Sequence, residues 1–124
     1  MRFMMMVKTA EKSGPPPKEL MDAMGKLMEE STKTGEMIDT GGLAPTAASS
    51  RVRLTGGKIS VIDGPFAEAK EVLGGYAFFE LKSKEDAVER SSKFLELHRK
   101  HWPGWEGEIE IRQVVTPHQV PAKA

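Results

Sequence analysis

The residues best suited to chemistry lie in one run, Asp63-Gly64-Pro65-Phe66-Ala67-Glu68-Ala69-Lys70-Glu71, closed by Gly74-Gly75-Tyr76. Asp63 follows a short apolar segment, and if that strand runs on, residues 59, 61 and 63 share one face. An aspartate ending an apolar face loses solvation, an environment that suits a general acid or base, or a ligand anchor. Lys70 is a nearby cation able to neutralise Asp63 or to hold an anionic substrate. Phe66, Glu68, Lys70 and Tyr76 are the candidate ligand-binding residues around a candidate catalytic Asp63. Each has a plainer alternative. Aspartate before Gly-Pro caps turns through backbone N–H groups two residues on. A Glu-Lys-Glu cluster is usually a solvated turn, and a tyrosine opening a strand often keeps its hydroxyl wet.

Other reactive types are sparse. His98 and His101 form H-x-x-H with His118 remote, but cationic residues at a helix C-terminus need no metal to explain them, and no metal site is expected. Trp102 and Trp105 straddle Pro103-Gly104 and are expected to cover an edge of the core. There is no phosphate-binding glycine loop, nucleophile elbow or zinc motif, and no cofactor is implied. The absence of cysteine excludes disulfides and thiol chemistry. Lys+Arg and Asp+Glu both number 18, so no charge excess argues for nucleic acid or an anionic membrane. The opening Met1-Arg2-Phe3-Met4-Met5-Met6-Val7 is too short for a signal segment or a span and ends at Lys8, which predicts a first strand in a cytoplasmic protein.

These residues must be positioned by a small set of elements. Phe3–Val7 is an apolar run of strand length. Pro17 suits a helix start, and Leu20, Met21, Met24, Leu27 and Met28 recur at helical spacing across Lys18–Lys33, with Gly35 as terminator. The methionines are expected to pack adaptably in the core. Glu36–Leu43 reads as a strand interrupted by a bulge or loop at Gly41-Gly42. Arg51–Thr55 and Lys58–Ile62 flank Gly56-Gly57 as a hairpin. That turn sets Val52 opposite Val61 and Leu54 opposite Ile59, all on one face, with Arg51, Arg53, Lys58 and Ser60 on the other. Arg51 and Arg53 are expected to meet solvent or a dimer interface.

Gly75–Leu81 is a further strand. Ser83 is an N-cap for a helix from Lys84 to about Lys100, with Ala87, Val88, Phe94 and Leu95 as its stripe. Glu108–Val115 alternates as a last strand with Ile109 and Ile111 inward, and 116–124 reads as a loose tail. Residues 1–115 thus form a single α+β domain, β-α-β-(hairpin)-β-α-β, the ferredoxin-like pattern with two helices on one sheet face. Strands apolar on both faces leave the other face bare, so a homodimer packed sheet to sheet is expected.

The run Asp63-Gly64-Pro65-Phe66-Ala67-Glu68 with Lys70-Glu71 and Gly74-Gly75-Tyr76 resembles the DGPF signature of the YCII-related family. Arg2-Phe3-Met4, Gly41-Gly42-Leu43-Ala44-Pro45 and Glu108-Ile109-Glu110-Ile111-Arg112 are similar to that family too, so the resemblance covers residues 2 to 115. It implies a dimeric α+β barrel of ferredoxin-like subunits. It also implies a His–Asp pair, of which Asp63 matches the aspartate, whereas Lys18–Lys33 contains no histidine to match the other. Ala69 stands where the pattern commonly has Thr or Ser. The resemblance further implies a sigma-factor-linked signalling context. Two functions follow: a dimeric domain binding a small molecule in a pocket near Asp63, or a small-molecule enzyme using Asp63 as general acid/base with Lys70 as its electrostatic partner.

Overall fold

Alternating burial along β1 (Arg2–Thr9) sets the plan of the sheet: Phe3 and Met5 are buried, while Met4 and Met6 on the other face are half-buried. The computed structural model describes residues 1–118. After β1 come α1 (Lys18–Lys33), β2 (Met37–Gly42), β3 (Ser50–Thr55), β4 (Lys58–Asp63), β5 (Val72–Glu80), α2 (Lys84–His101) and β6 (Gly107–Gln113). Short 3-10 turns lie at Glu11–Ser13 and Thr46–Ala48. Four strands form an antiparallel sheet in the order β2-β5-β1-β6, with β3 and β4 as a separate two-stranded sheet. Because β5 lies between β1 and β2, the first crossover is a split β-α-β unit, and the α+β, ferredoxin-like pattern expected from sequence is the fold observed. Residues 119–124 of the expected tail lie outside the described residues.

The register explains the core. Phe3 sits opposite Phe79 and Met5 opposite both Ala77 and Ile111. Phe3, Met5 and Phe79, with Leu81 and with Ala87 from α2, form the buried cluster, and the partly buried Met37, Ala77, Ile109 and Ile111 pack against it. Ala87 is fully buried, and its small side chain lets α2 close onto the sheet. Ser83 Oγ accepts from the Asp86 N–H and starts this helix. Arg90 then ties α2 to the entry of β2, its Nε and Nη2 donating to the two Glu36 oxygens at 3.1 and 2.8 Å. That charge-assisted pair holds the Glu36 carboxyl below its ordinary range.

Three expectations need correction. The β2 irregularity falls between Met37 and Asp39, not at Gly41-Gly42, which stay paired with Tyr76 and Gly75. Glycine at 41 instead lets the Tyr76 ring lie on the strand, since a Cβ there would come within 2.9 Å of Tyr76 Cε1. In α1 only Leu20 is buried; Met24 and Leu27 are half-buried, and Met21 and Met28 are exposed. In α2, Val88 is exposed, and the buried positions are Ala87, Ser91 and His98. Phe3→Ala should cost about 3–5 kcal/mol in denaturant unfolding, as expected for the loss of a fully buried aromatic. A loss under about 1 kcal/mol would contradict this account of the core.

Candidate functional site

The hairpin register matches its sequence pattern: Val52 pairs with Val61, Leu54 with Ile59, and Ser50 with Asp63. Positive φ at Gly56 and Gly57 makes the two-residue turn. Asp63 therefore does end the apolar face, as its spacing indicates. That face is bare, however, so Asp63 is exposed rather than desolvated, and its Oδ1 accepts from Ser50 Oγ at 2.7 Å. Lys70 is exposed and makes no ion pair with Asp63 among the described residues.

The rest of the run is a structural tie. The Gly64 N–H donates to Ser49 O at 2.8 Å, and a Cβ at Gly64 would overlap the Thr46 carbonyl. The Phe66 N–H donates to Thr46 Oγ1 at 3.2 Å. Thr46 in turn donates from Oγ1 and from its backbone N–H to the two Glu11 oxygens, at 2.5 and 2.6 Å. Those two bonds hold the Glu11 carboxyl below its ordinary range. The Phe66 ring is buried beneath the Arg51 guanidinium, 3.8 Å from its centroid, and Arg51 also pairs with Glu68 at 3.0 Å. Arg51 thus serves this tie and not open solvent.

Glu11 and the segment Leu43-Ala44-Pro45, which this tie holds together, line a cavity of about 820 Å³ between the helices and the sheet. Its floor includes Met5, Val7, Phe79 and Ile109, and its α1 wall is Met24, Leu27 and Met28. Tyr76 borders the cavity by its place in β5, but its ring lies on the other sheet face, edge-on to Phe78 and with its hydroxyl 3.5 Å from Asp39 Oδ2. Asp63, Phe66, Glu68 and Lys70 are not in the lining; of the five candidate residues only Tyr76 borders the cavity, and its side chain is on the sheet's other face.

The α2 wall carries two residues, Ser91 and His98, that a reading by apolar type misses. Ser91, Phe94 and His98 continue from Ala87 at steps of four, three and four, so all share one face. Counting positions rather than apolar side chains finds Ser91 and His98 beside the expected Phe94. His98 is 6% exposed, and its Nδ1 lies 3.0 Å from Phe94 O. Its ring packs between Phe94 and Trp105, at centroid distances of 4.8 and 4.4 Å. Desolvation pushes its pKa below the ordinary histidine value, so it is a neutral core imidazole and not an exposed helix-end cation. Ser91 Oγ is buried with no hydrogen-bond partner, a state that costs about 1–3 kcal/mol. No cluster of three or more potential metal ligands occurs among the described residues. Nor is any described helix long and apolar enough to cross a membrane.

Comparison with known proteins gives this architecture a family. A family model for the YCII-related domain matches residues 1–94, most of the chain. The chain belongs to the YCII-related family. It is also similar to an uncharacterised protein of Rhizobium meliloti (strain 1021), 30% identical over 70 residues, which span 56% of each protein. The match thus spans just over half the length of that relative.

In this YCII-related domain the Thr46 tie and His98 give testable consequences. Gly64→Ala should lower stability by at least about 2 kcal/mol in denaturant unfolding, because backbone must move to admit the methyl group; near-neutral behaviour would refute the tie. Glu11 binds its proton less readily when folded, so its contribution is full above its ordinary value near 4.5 and is lost as pH falls through the depressed folded value. Glu11→Gln should flatten that acid limb. His98 has the opposite charge type. Below its ordinary value of 6.5 the unfolded chain takes up a proton that the folded chain resists, so stability falls as pH drops from there. Unfolding curves at pH 7.5 and 5.5 should show the loss in wild type and a smaller one in His98→Phe; equal losses would contradict a buried neutral imidazole.

Proposed function

We propose that this YCII-related domain binds a small, largely apolar molecule in the cavity between α1, α2 and the sheet. The observation that carries this reading is the cavity itself. At about 820 Å³ it falls within the usual range for ligand sites, and methionine, leucine, phenylalanine and tryptophan line it alongside a few polar groups. Methionine suits such a wall because it adapts to the shape it meets. Binding is preferred to acid–base catalysis at Asp63, since Asp63 and Lys70 both stand outside the lining. The Asp63–Phe66 turn acts instead as the brace that fixes the cavity mouth through Thr46 and Glu11. A binder of this kind suits the sigma-factor-linked context that the resemblance implies, where occupancy rather than turnover would carry the message.

The active form in this reading is a homodimer. Val52, Leu54, Ile59 and Val61 share one hairpin face and are 65% to 74% exposed, which is unusual for contiguous aliphatic residues. An isolated two-stranded hairpin is marginal in water without a surface to pack on. Met4, Met6, Tyr76 and Phe78 add a half-buried apolar strip on the sheet face opposite the helices. A second copy covers both with one symmetry operation.

Titration with the neutral probe N-phenyl-1-naphthylamine tests the binding site. Saturable fluorescence enhancement is expected in wild type, weakened at least tenfold by Leu27→Trp, which fills the cavity. Enhancement unchanged in Leu27→Trp but lost in Val61→Ser would place the probe on the hairpin and sink the reading. Light scattering after size exclusion tests assembly: wild type should have dimer mass and Leu54→Ser/Ile59→Ser monomer mass with an unaltered circular dichroism spectrum. A monomeric wild type at tens of micromolar would reject the dimer.

A further inference from the structure

We propose that the cavity selects an uncharged apolar molecule bearing a single hydrogen-bond donor, a phenol or an alcohol, and that His98 Nε2 is the acceptor for that donor. The proposal rests on the cavity-binding reading and adds the class of ligand. A backbone carbonyl can only accept, so the 3.0 Å contact with Phe94 O assigns the imidazole hydrogen to Nδ1. Nε2 is then the ring's lone-pair acceptor, and no described residue donates to it. Nε2 is not among the fully enclosed atoms left without a partner, so on this cavity-lining residue it keeps the access that an acceptor for a ligand needs. On the same helix face, two turns away, Ser91 Oγ is fully buried and has no partner. The α2 wall thus holds unused hydrogen-bonding capacity at two levels, separated by about 10 Å along the helix axis.

The remaining lining argues against an anion. A neutral imidazole offers a carboxylate no countercharge. Glu11, Glu30, Glu36 and Glu89 border the cavity against only Arg90 and Lys93. Arg90 is already engaged by Glu36 and Glu89. Next to His98, the rings of Phe94 and Trp105 supply flat apolar surface on which an aromatic ligand can stack.

Isothermal titration with 4-ethylphenol, ethylbenzene and 4-ethylbenzoate, using wild type and His98→Phe, tests this. Wild type should bind 4-ethylphenol roughly five- to tenfold more tightly than ethylbenzene, the worth of one net hydrogen bond. Ethylbenzoate should bind least. In His98→Phe the preference should fall to about unity while ethylbenzene affinity is retained. Nitrogen-15 spectra of histidine-labelled wild type give a readout that does not depend on the variant folding: the Nε2 resonance should shift on adding 4-ethylphenol and stay in place with ethylbenzene. Equal affinities for phenol and hydrocarbon, or tightest binding of the benzoate, would overturn the ligand class and leave the cavity reading standing. If none of the three binds and Nε2 stays unmoved, the cavity reading fails together with the ligand class.

Discussion

The shape of this molecule depends on side-chain volume missing beneath α1. Gly42 and Gly75 are paired across β2 and β5 on the helix side of the sheet, and Gly41 and Gly74 lie next to them. Glycine offers nothing for a helix to pack on, and a Cβ at Gly42 would meet no atom within 4 Å. Below α2 the sheet presents Phe3, Met5 and Phe79, and that helix closes down through Ala87. α1 instead packs chiefly against α2 and β2, with Leu20 as its one fully buried side chain. Close packing is the rule in protein interiors, so a gap of this size reflects the sequence of the strands and not a defect of the helix.

A gap under a helix is stable only if its rim is held, and here the rim is held by hydrogen bonds rather than by apolar burial. Thr46 joins three segments distant in sequence: the Glu11 turn after β1, its own turn before β3, and the backbone at Phe66 after β4. Both bonds to Glu11 are charge-assisted, the stronger kind. Arg51 stacked on Phe66 screens this junction from water. The chemically suggestive run around Asp63 is thus explained by geometry: its glycine and its buried aromatic are needed for the tie, whichever role its exposed charges have.

What was legible in the sequence was local. The hairpin register followed from a two-residue glycine turn and strict alternation, and α1 was bounded by Pro17 and Gly35 at the observed ends, Lys18 and Lys33. Ser83 marked the start of α2 because its side chain meets its own first turn. The misses concern contacts between distant segments. Asp63 was placed correctly on the apolar face, yet its exposure depends on what covers that face. Ser91 and His98 are not legible from an apolar stripe because neither is apolar, although their spacing from Ala87 keeps them inward. Arg51 faces away from the hairpin's aliphatic side as expected, but only the fold brings Phe66 beneath it.

The hairpin face and the cavity wall differ in chemical character. The exposed hairpin face is purely aliphatic at Val52, Leu54, Ile59 and Val61, with no side-chain donor or acceptor among those four residues. Such a face gains by area alone and suits a broad protein surface, for which a second copy is the simplest supply. The cavity wall has the opposite character, because the imidazole of His98 and the hydroxyl of Ser91 lie where water is scarce. Polar groups in such surroundings discriminate sharply: a correctly placed donor regains what burial removed, and a ligand without one leaves the cost standing. In the proposed reading, assembly and ligand choice therefore draw on separate parts of the chain, the inserted hairpin for the first and the inner face of α2 for the second.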